Sequence, residues 1–172
     1  MEPFETVLPQ LIQIPLFADF DVQNDSDVRI LRELYAVMAA KDYKAGELII
    51  EEGEPELFCY FLYRGAIQVF SSTPAGDTIA LANLCAEQHV FFGETAILSS
   101  EPRSHSVRAV SDSSALRISG KDFLDMCRKE PVLGFRVMFY IAKNLKKTIK
   151  ETNNDKAILY EALFNEIEGY NG

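Results

Sequence analysis

The stretch FFGETAILSSEPRSHSV, Phe91 to Val107, sets one glycine, one glutamate and one arginine among small, apolar and hydroxyl residues. Its TAIL segment can form one helical turn, with Gly93 at the entrance. The start of such a turn aims free backbone N–H groups at one point and favours an anion. Arg103, its approach stiffened by Pro102, adds a planar, charge-assisted clamp. Glu94 disfavours a bare anion but suits a ligand that also offers hydroxyls. Together these residues describe a phosphate beside a ribose-like diol. Read from the residues alone, a plainer arrangement stays open: Arg103 pairs with Glu101 on a surface loop, and Gly93 serves a turn.

Outward from this stretch the chain reads as short strands. Leu48–Ile50, Phe58–Tyr63, Ala66–Phe70, Thr78–Leu84, Val107–Val110 and Ala115–Ile118 are β-prone runs. Turn signals separate them at Ala45-Gly46, Gly53-Glu54-Pro55, Arg64-Gly65 and Pro74-Ala75-Gly76-Asp77. Such regular spacing predicts an antiparallel β-roll of the double-stranded β-helix or jelly-roll type, an α+β fold flanked by N-terminal and C-terminal helices. Before the strands, Asp27–Lys41 carries Val28, Leu31, Leu34, Tyr35 and Met38 at helical spacing, with Asp25 or Ser26 as N-cap. Further upstream, Leu8–Phe20 is apolar but broken by Pro9 and Pro15, and reads as a short helix and a turn covering the domain.

After the strands, Ser119 to Asp122 resembles a capping box opening a helix to Lys129, and Pro131 suits the first turn of a longer one. The stripe predicted to be buried uses Val137 or Met138, Ile141, Leu145 and Ile149. The polar run Thr152–Lys156 either ends this helix or loosens it, and Ala157–Ile167 is a second apolar-faced segment. Three regions follow: an N-terminal helical segment over 1–24, the β-roll over 25–130, and C-terminal helices over 131–172.

Composition narrows the function classes. Of 172 residues, 48% are hydrophobic and 25% charged, ordinary for a soluble globular chain. An apolar run of the roughly 20 residues that span a bilayer is absent, and MEPFETVLPQ has no basic n-region, so a cytoplasmic protein without membrane contact is expected. A net charge of −9 argues against nucleic acid as a partner, and the lysines of KNLKKTIK, Lys143 to Lys150, read as a solvated helix face. Cys59, Cys85 and Cys127 form no CxxC pair and are expected as buried free thiols. His89 and His105 make no His-x-His pair of the cupin kind and show no Ser or Cys partner motif, so neither a metal nor an enzyme is expected.

The quoted stretch resembles the phosphate-binding cassette of cyclic nucleotide-binding domains, through Phe92-Gly93-Glu94, Ala96, Ile97, Leu98, Pro102-Arg103, Ser106 and Val107. Tyr43–Glu54 is similar to that family's first strand and turn, and Tyr60–Tyr63, Gly65 and Val69 continue the match, which covers roughly Phe17 to Leu145. The resemblance implies that Glu94 accepts from the ribose 2′-hydroxyl. It places the cyclic phosphate on Arg103 and on the backbone N–H groups of Ala96 and Ser104, with Gly93 permitting close approach to the sugar. The implied ligand-binding set is Gly93, Glu94, Thr95, Ala96, Arg103 and Ser104. Bacterial cyclic-AMP receptor proteins look similar from Pro131 through Arg136, and their base-contacting threonine falls on Thr148, with Ile149 in place of a serine. Ser104 leaves cAMP against cGMP open, with cAMP favoured. Two departures stand out: Gln88-His89-Val90-Phe91 replaces a Gly-Asp turn, and His105 replaces an alanine.

The expected function is a non-enzymatic regulatory domain that binds a cyclic nucleotide and signals to an effector protein by movement of its C-terminal helices. Val137, Met138, Ile141 and Leu145 suit packing on the roll, on a partner, or on a second copy in a homodimer. The alternative is a degenerate domain of the same fold that acts as a protein-interaction module without nucleotide.

Overall fold

A computed structural model describes residues 3–55, 57–73, 76–98 and 101–169; of the stretches singled out above, Met1, Glu2, Pro74, Ala75, Ser99, Ser100 and residues 170–172 lie outside them. The chain divides into two compact units, residues 1–136 and 137–172.

The first unit opens with helix α1 (Phe4–Leu11), a 3-10 turn at Pro15–Phe17 and helix α2 (Asp25–Ala36). The α2 N-cap is Asn24, whose side chain accepts from the Ser26 and Asp27 N–H groups, rather than Asp25 or Ser26. The helix also ends earlier than its pattern predicts. Ala39–Tyr43 leaves the helical path and forms strand β1, pairing antiparallel with a distant strand from Ala39↔Arg117 to Tyr43↔Ser113. Five residues of ladder outweigh the helix propensity of two alanines and a lysine, because propensity is a weak preference per residue.

Strands β2 (Leu48–Ile50), β3 (Phe58–Arg64), β4 (Ala66–Ser72), β5 (Thr78–Cys85), β6 (Phe91–Phe92), β7 (Ser106–Ala109) and β8 (Ser113–Ser119) complete the roll among the described residues. They form two four-stranded antiparallel sheets, in the orders β1-β8-β3-β6 and β2-β7-β4-β5. The fold is the expected jelly roll with flanking helices. Its core between the sheets holds Tyr43, Ile49, Ile50, Tyr60, Leu62, Ile67, Phe92 and Val107.

Strand β3 is buried on both faces, which is why FCYFL is continuously apolar. Tyr60 and Leu62 point into the roll, Tyr60 stacking on Phe92 at 5.0 Å. The opposite face presents Phe61, which stacks on Phe17 at 5.6 Å and on Phe91 at 4.8 Å. The N-terminal segment thus covers the outer face of one sheet, as its apolar content predicts. Cys59 and Cys127 are buried thiols, whereas Cys85 is only half-buried.

Helix α3 (Thr95–Leu98) is one turn long and rests against helix α4 (Gly120–Lys129). Ser119 caps α4 by accepting from the Asp122 N–H. Exposed ion pairs join α2 to the end of α4: Arg29 bridges Glu33 and Glu130, and Lys129 pairs with Glu33. Lys129 first, then Arg29, holds the Glu33 carboxyl below its ordinary range, and Arg29 does the same for Glu130. Such solvated pairs orient more than they stabilise. Helix α5 (Pro131–Gly169) begins in this unit, where Arg136 lies 4.1 Å over the Phe20 ring and bonds Asp27 at 3.4 Å.

The second unit is the remainder of α5. It runs unbroken through Thr152–Lys156, so that polar run neither ends nor interrupts the helix. Leu145 and Ile149, predicted to be buried, are exposed at 53% and 61%. The four lysines of the KNLKKTIK run are exposed as expected.

Candidate functional site

The quoted stretch folds as a connection out of β6, through α3, and back along a loop into β7. At its start Gly93 sits at φ +75°, and a Cβ there would stand 3.1 Å from the Phe58 carbonyl oxygen. Only glycine takes this left-handed bend against neighbouring backbone without strain. The bend turns the chain into α3, whose first bonds run from the Ala96 N–H to the Gly93 carbonyl at 3.1 Å and from Ile97 N–H to Glu94 O at 3.0 Å.

The returning loop is tied down on its other side. Arg103 N–H donates to Glu54 O, Gly53 N–H donates to Arg103 O, and Glu52 N–H donates to the Ser106 hydroxyl. These bonds fix the backbone of Arg103 against the β2–β3 turn, so its side chain has one direction to go.

Arg103 is 6% exposed. Its guanidinium donates to the Gly93 carbonyl at 3.1 Å, to the Thr95 hydroxyl at 2.9 Å and to the Phe58 carbonyl. The pairing with Glu101 does not form; Glu101 is exposed on the loop. All three acceptors are neutral, and the buried Nε has no hydrogen-bond partner. A buried cation surrounded by neutral dipoles keeps its attraction for an anion, and in a low-dielectric setting that attraction is large.

The cavity beside Arg103 has a volume of about 240 Å³. One wall is apolar, made by Ile50, Val69, Phe92 and Val107, and the other is polar, made by Gly93, Glu94, Thr95, Arg103, Ser104 and His105. An apolar wall opposite a cation and a carboxylate suits a flat, partly apolar ligand with an anionic group and hydroxyls.

Most residues singled out from the sequence therefore meet around one cavity. Ala96 adjoins it on α3, but its N–H is bonded to Gly93 O. Thr148 belongs to the second unit, where it is exposed, while the cavity is lined wholly by residues of the first. His105 does not plug the pocket: it is exposed at the rim, with Nδ1 2.8 Å from the Ser104 hydroxyl oxygen. His89 takes over the turn once expected of a glycine, at φ +53°, capping the 3-10 turn Ala86–Gln88. Gly93, Glu94, Thr95, Arg103 and Ser104 all line the cavity despite both departures.

The partners that Arg103 finds within the protein were not foreseen, although Thr95 was already in the implied ligand-binding set. The Phe58 carbonyl is a backbone group and leaves no trace in residue type. Thr95 as an acceptor for Arg103 had a visible signal, the lone hydroxyl in TAIL. Nearby Cys59 carries no nucleophile: burial pushes its thiol up to about 12, although the Arg103 charge works in the other direction.

The fold and cavity define a class first: a β-roll with a buried arginine beside a cavity. The description of the cyclic nucleotide-binding domain matches residues 40–130, and the chain belongs to that family. It is 31% identical over 102 residues to a cyclic nucleotide-gated potassium channel of Mesorhizobium japonicum, a match covering 59% of this chain and 26% of the channel. The match thus spans about a quarter of that relative's length. Among solved structures, the sensor domain of the transcriptional regulator DNR from Pseudomonas aeruginosa superposes with a TM-score of 0.71 at 22% identity, covering 88% of this chain and 96% of the other. The regulatory domain of Toxoplasma gondii PKA, crystallised with cAMP, superposes at 0.67 with 18% identity, over 84% and 50% of the two chains. Both likenesses are of fold.

Proposed function

We propose that this chain is a non-enzymatic regulatory domain that binds cAMP in preference to cGMP. The observation that carries it is the buried Arg103, with neutral partners only, facing a cavity that also presents Glu94. The cyclic phosphate takes the positive charge of the Arg103 guanidinium, which lines the cavity. Glu94 accepts from the ribose 2′-hydroxyl, and the purine lies toward the apolar wall. The cAMP held by the Toxoplasma relative supports the choice of nucleotide.

Calorimetry with cAMP, cGMP and 2′-deoxy-cAMP tests this. Binding of cAMP is expected, with cGMP weaker. Loss of the 2′-hydroxyl weakens binding by at least about tenfold, since a hydrogen bond to a carboxylate is worth about 1.5–3 kcal/mol. In the Glu94→Gln variant the two adenine ligands should differ by much less. A wild-type protein that does not distinguish them overturns the role of Glu94.

The second reading, a protein-interaction module without nucleotide, is favoured by one observation: the Ala96 N–H and both terminal nitrogens of Arg103 already have partners within the protein. No heat with either nucleotide at high micromolar concentration would decide for it.

The output is assigned to α5. Met138, Leu145, Ile149, Leu159 and Leu163 are exposed and fall on one heptad seam, interrupted by Thr152 and Lys156. Such a seam is half of a two-stranded coiled coil, so a second copy is the proposed partner. Sedimentation is expected to give a dimer, and Leu145→Glu with Ile149→Glu a monomer; a monomeric wild type at tens of micromolar would sink this part.

A further inference from the structure

Helix α5 is divided by charge as well as marked by its seam. Residues 137–150 contain four lysines, Lys143, Lys146, Lys147 and Lys150, and no acidic residue. Residues 151–166 contain Glu151, Asp155, Glu161 and Glu166 and a single lysine, Lys156. From Leu145 to Glu166 every residue is exposed, and the helix runs through both halves without a break. Lys147 pairs with Glu151 across the boundary at 3.7 Å. The seam is interrupted in its middle by Thr152 and Lys156, with Leu145 and Ile149 before them and Leu159 and Leu163 after them.

We infer that two copies of the chain pair through α5 in antiparallel orientation, the lysine-bearing half of each helix lying along the acidic half of the other. This pairing rests on the reading of α5 as a dimer seam, and gives that seam a direction and a register. Apolar spacing alone admits two arrangements. In a parallel, in-register pair each seam residue meets its own copy. Lys156 then faces the partner's Lys156, lysines lie beside lysines, and acids lie beside acids. Like charges held at such spacings are destabilising.

Turning one helix round about Asn154 removes these conflicts. Leu145 comes opposite the partner's Leu163, and Ile149 opposite the partner's Leu159, so each apolar layer stays apolar. Lys156 comes opposite the partner's Thr152, whose hydroxyl oxygen can accept from an ammonium. The polar break of one helix is thus filled by the polar break of the other. The same register brings the partner's Glu161 level with Lys147, and the partner's Glu166 level with Ala142, next to Lys143. The two helix dipoles also oppose each other. Polar residues in a seam fix its register at some cost in stability. Here they match in the antiparallel direction and clash in the parallel one.

Disulfide trapping in the full chain reads the orientation, after sedimentation at tens of micromolar has measured the dimer. Leu145→Cys, Leu163→Cys and their equimolar mixture are oxidised mildly and compared on a non-reducing gel, with the wild type giving the background from Cys59, Cys85 and Cys127. In the antiparallel register the two copies of residue 145 lie about 27 Å apart along the helix, at 1.5 Å per residue, far beyond the reach of a disulfide. The mixture should therefore cross-link about tenfold more than either variant alone, because it alone brings the two new thiols level. A charge exchange tests the cause. Lys143→Glu with Lys147→Glu should weaken the dimer about tenfold, since attraction becomes repulsion at both ends. Adding Glu161→Lys with Glu166→Lys should restore most of the loss. All four side chains are exposed, and a circular dichroism melt confirms that each variant is folded.

Cross-linking of Leu145→Cys alone, or none in the mixture while sedimentation still shows a dimer, overturns the antiparallel register and leaves the dimer standing. A double variant that is not weakened, or that the exchange does not restore, overturns charge complementarity as the cause. A monomeric wild type overturns both this pairing and the reading it rests on.

Discussion

Replacing Arg103 with alanine lowers cyclic nucleotide affinity by at least about 30-fold, because truncating one member of a buried, hydrogen-bonded charge pair costs about 2–5 kcal/mol. Arg103→Lys is not a rescue. The guanidinium reaches the Gly93 carbonyl, the Thr95 hydroxyl and the Phe58 carbonyl together, and Arg103 also lines the cavity. An ammonium is a point charge without that fork, so a loss of more than tenfold is expected. The fold survives either change. Alanine leaves backbone acceptors without donors, at about 1–3 kcal/mol, but it also removes a charge that was expensive to bury. Calorimetry gives the affinity and a circular dichroism melt the integrity. An Arg103→Ala protein that binds within threefold of the wild type would sink the site.

The second large effect lies outside the cavity. Gly120→Ala places a Cβ 1.9 Å from the Ala96 carbonyl oxygen and 2.5 Å from its carbon. Helix propensity alone would reward alanine by roughly 1 kcal/mol at this position. The steric term wins, because the obstacle is backbone and α3 must be displaced. Overpacking against side chains already costs about 1–3 kcal/mol, so a loss of about 3 kcal/mol or more is expected here. For a chain of this size that is a fall in Tm of roughly 6–12 °C. Thr95 and Ala96 move with α3, so affinity should fall in the same variant. Lys121→Ala, on the neighbouring exposed residue, should leave both nearly unchanged. A Gly120→Ala protein as stable as the wild type would show that the α3–α4 contact is looser than its geometry.

These two residues differ in how visible they are beforehand. Arg103 announces itself as an isolated cation behind a proline, in a stretch whose neighbours recur in one family. Gly120 reads as an ordinary residue before a helix, and its constraint exists only once α4 lies against α3. Strand β1 shows the same contrast. Ala39–Lys41 follows the helical pattern of α2, and only the register of Ala39–Tyr43 with Ser113–Arg117, seventy or more positions away, turns it into a strand. The seam of α5 erred in the other direction, since Leu145 and Ile149 carry the right periodicity for burial yet are exposed. Periodicity states that a helix has an apolar face and not what covers it.

The order of residues was therefore enough for the fold class, the family and most of the polar side chains around the cavity. The fold class rests on short spacings, strands alternating with turn glycines, and the family on the resemblance of one connection that holds a glycine, a glutamate and an arginine. Packing alone supplied the state of the clamp. Arg103 is held by two carbonyls and a hydroxyl instead of Glu101, and Ser104 is turned toward His105. Backbone carbonyls are the same in every residue, so nothing in the order of side chains says which of them a folded chain will aim at a buried charge.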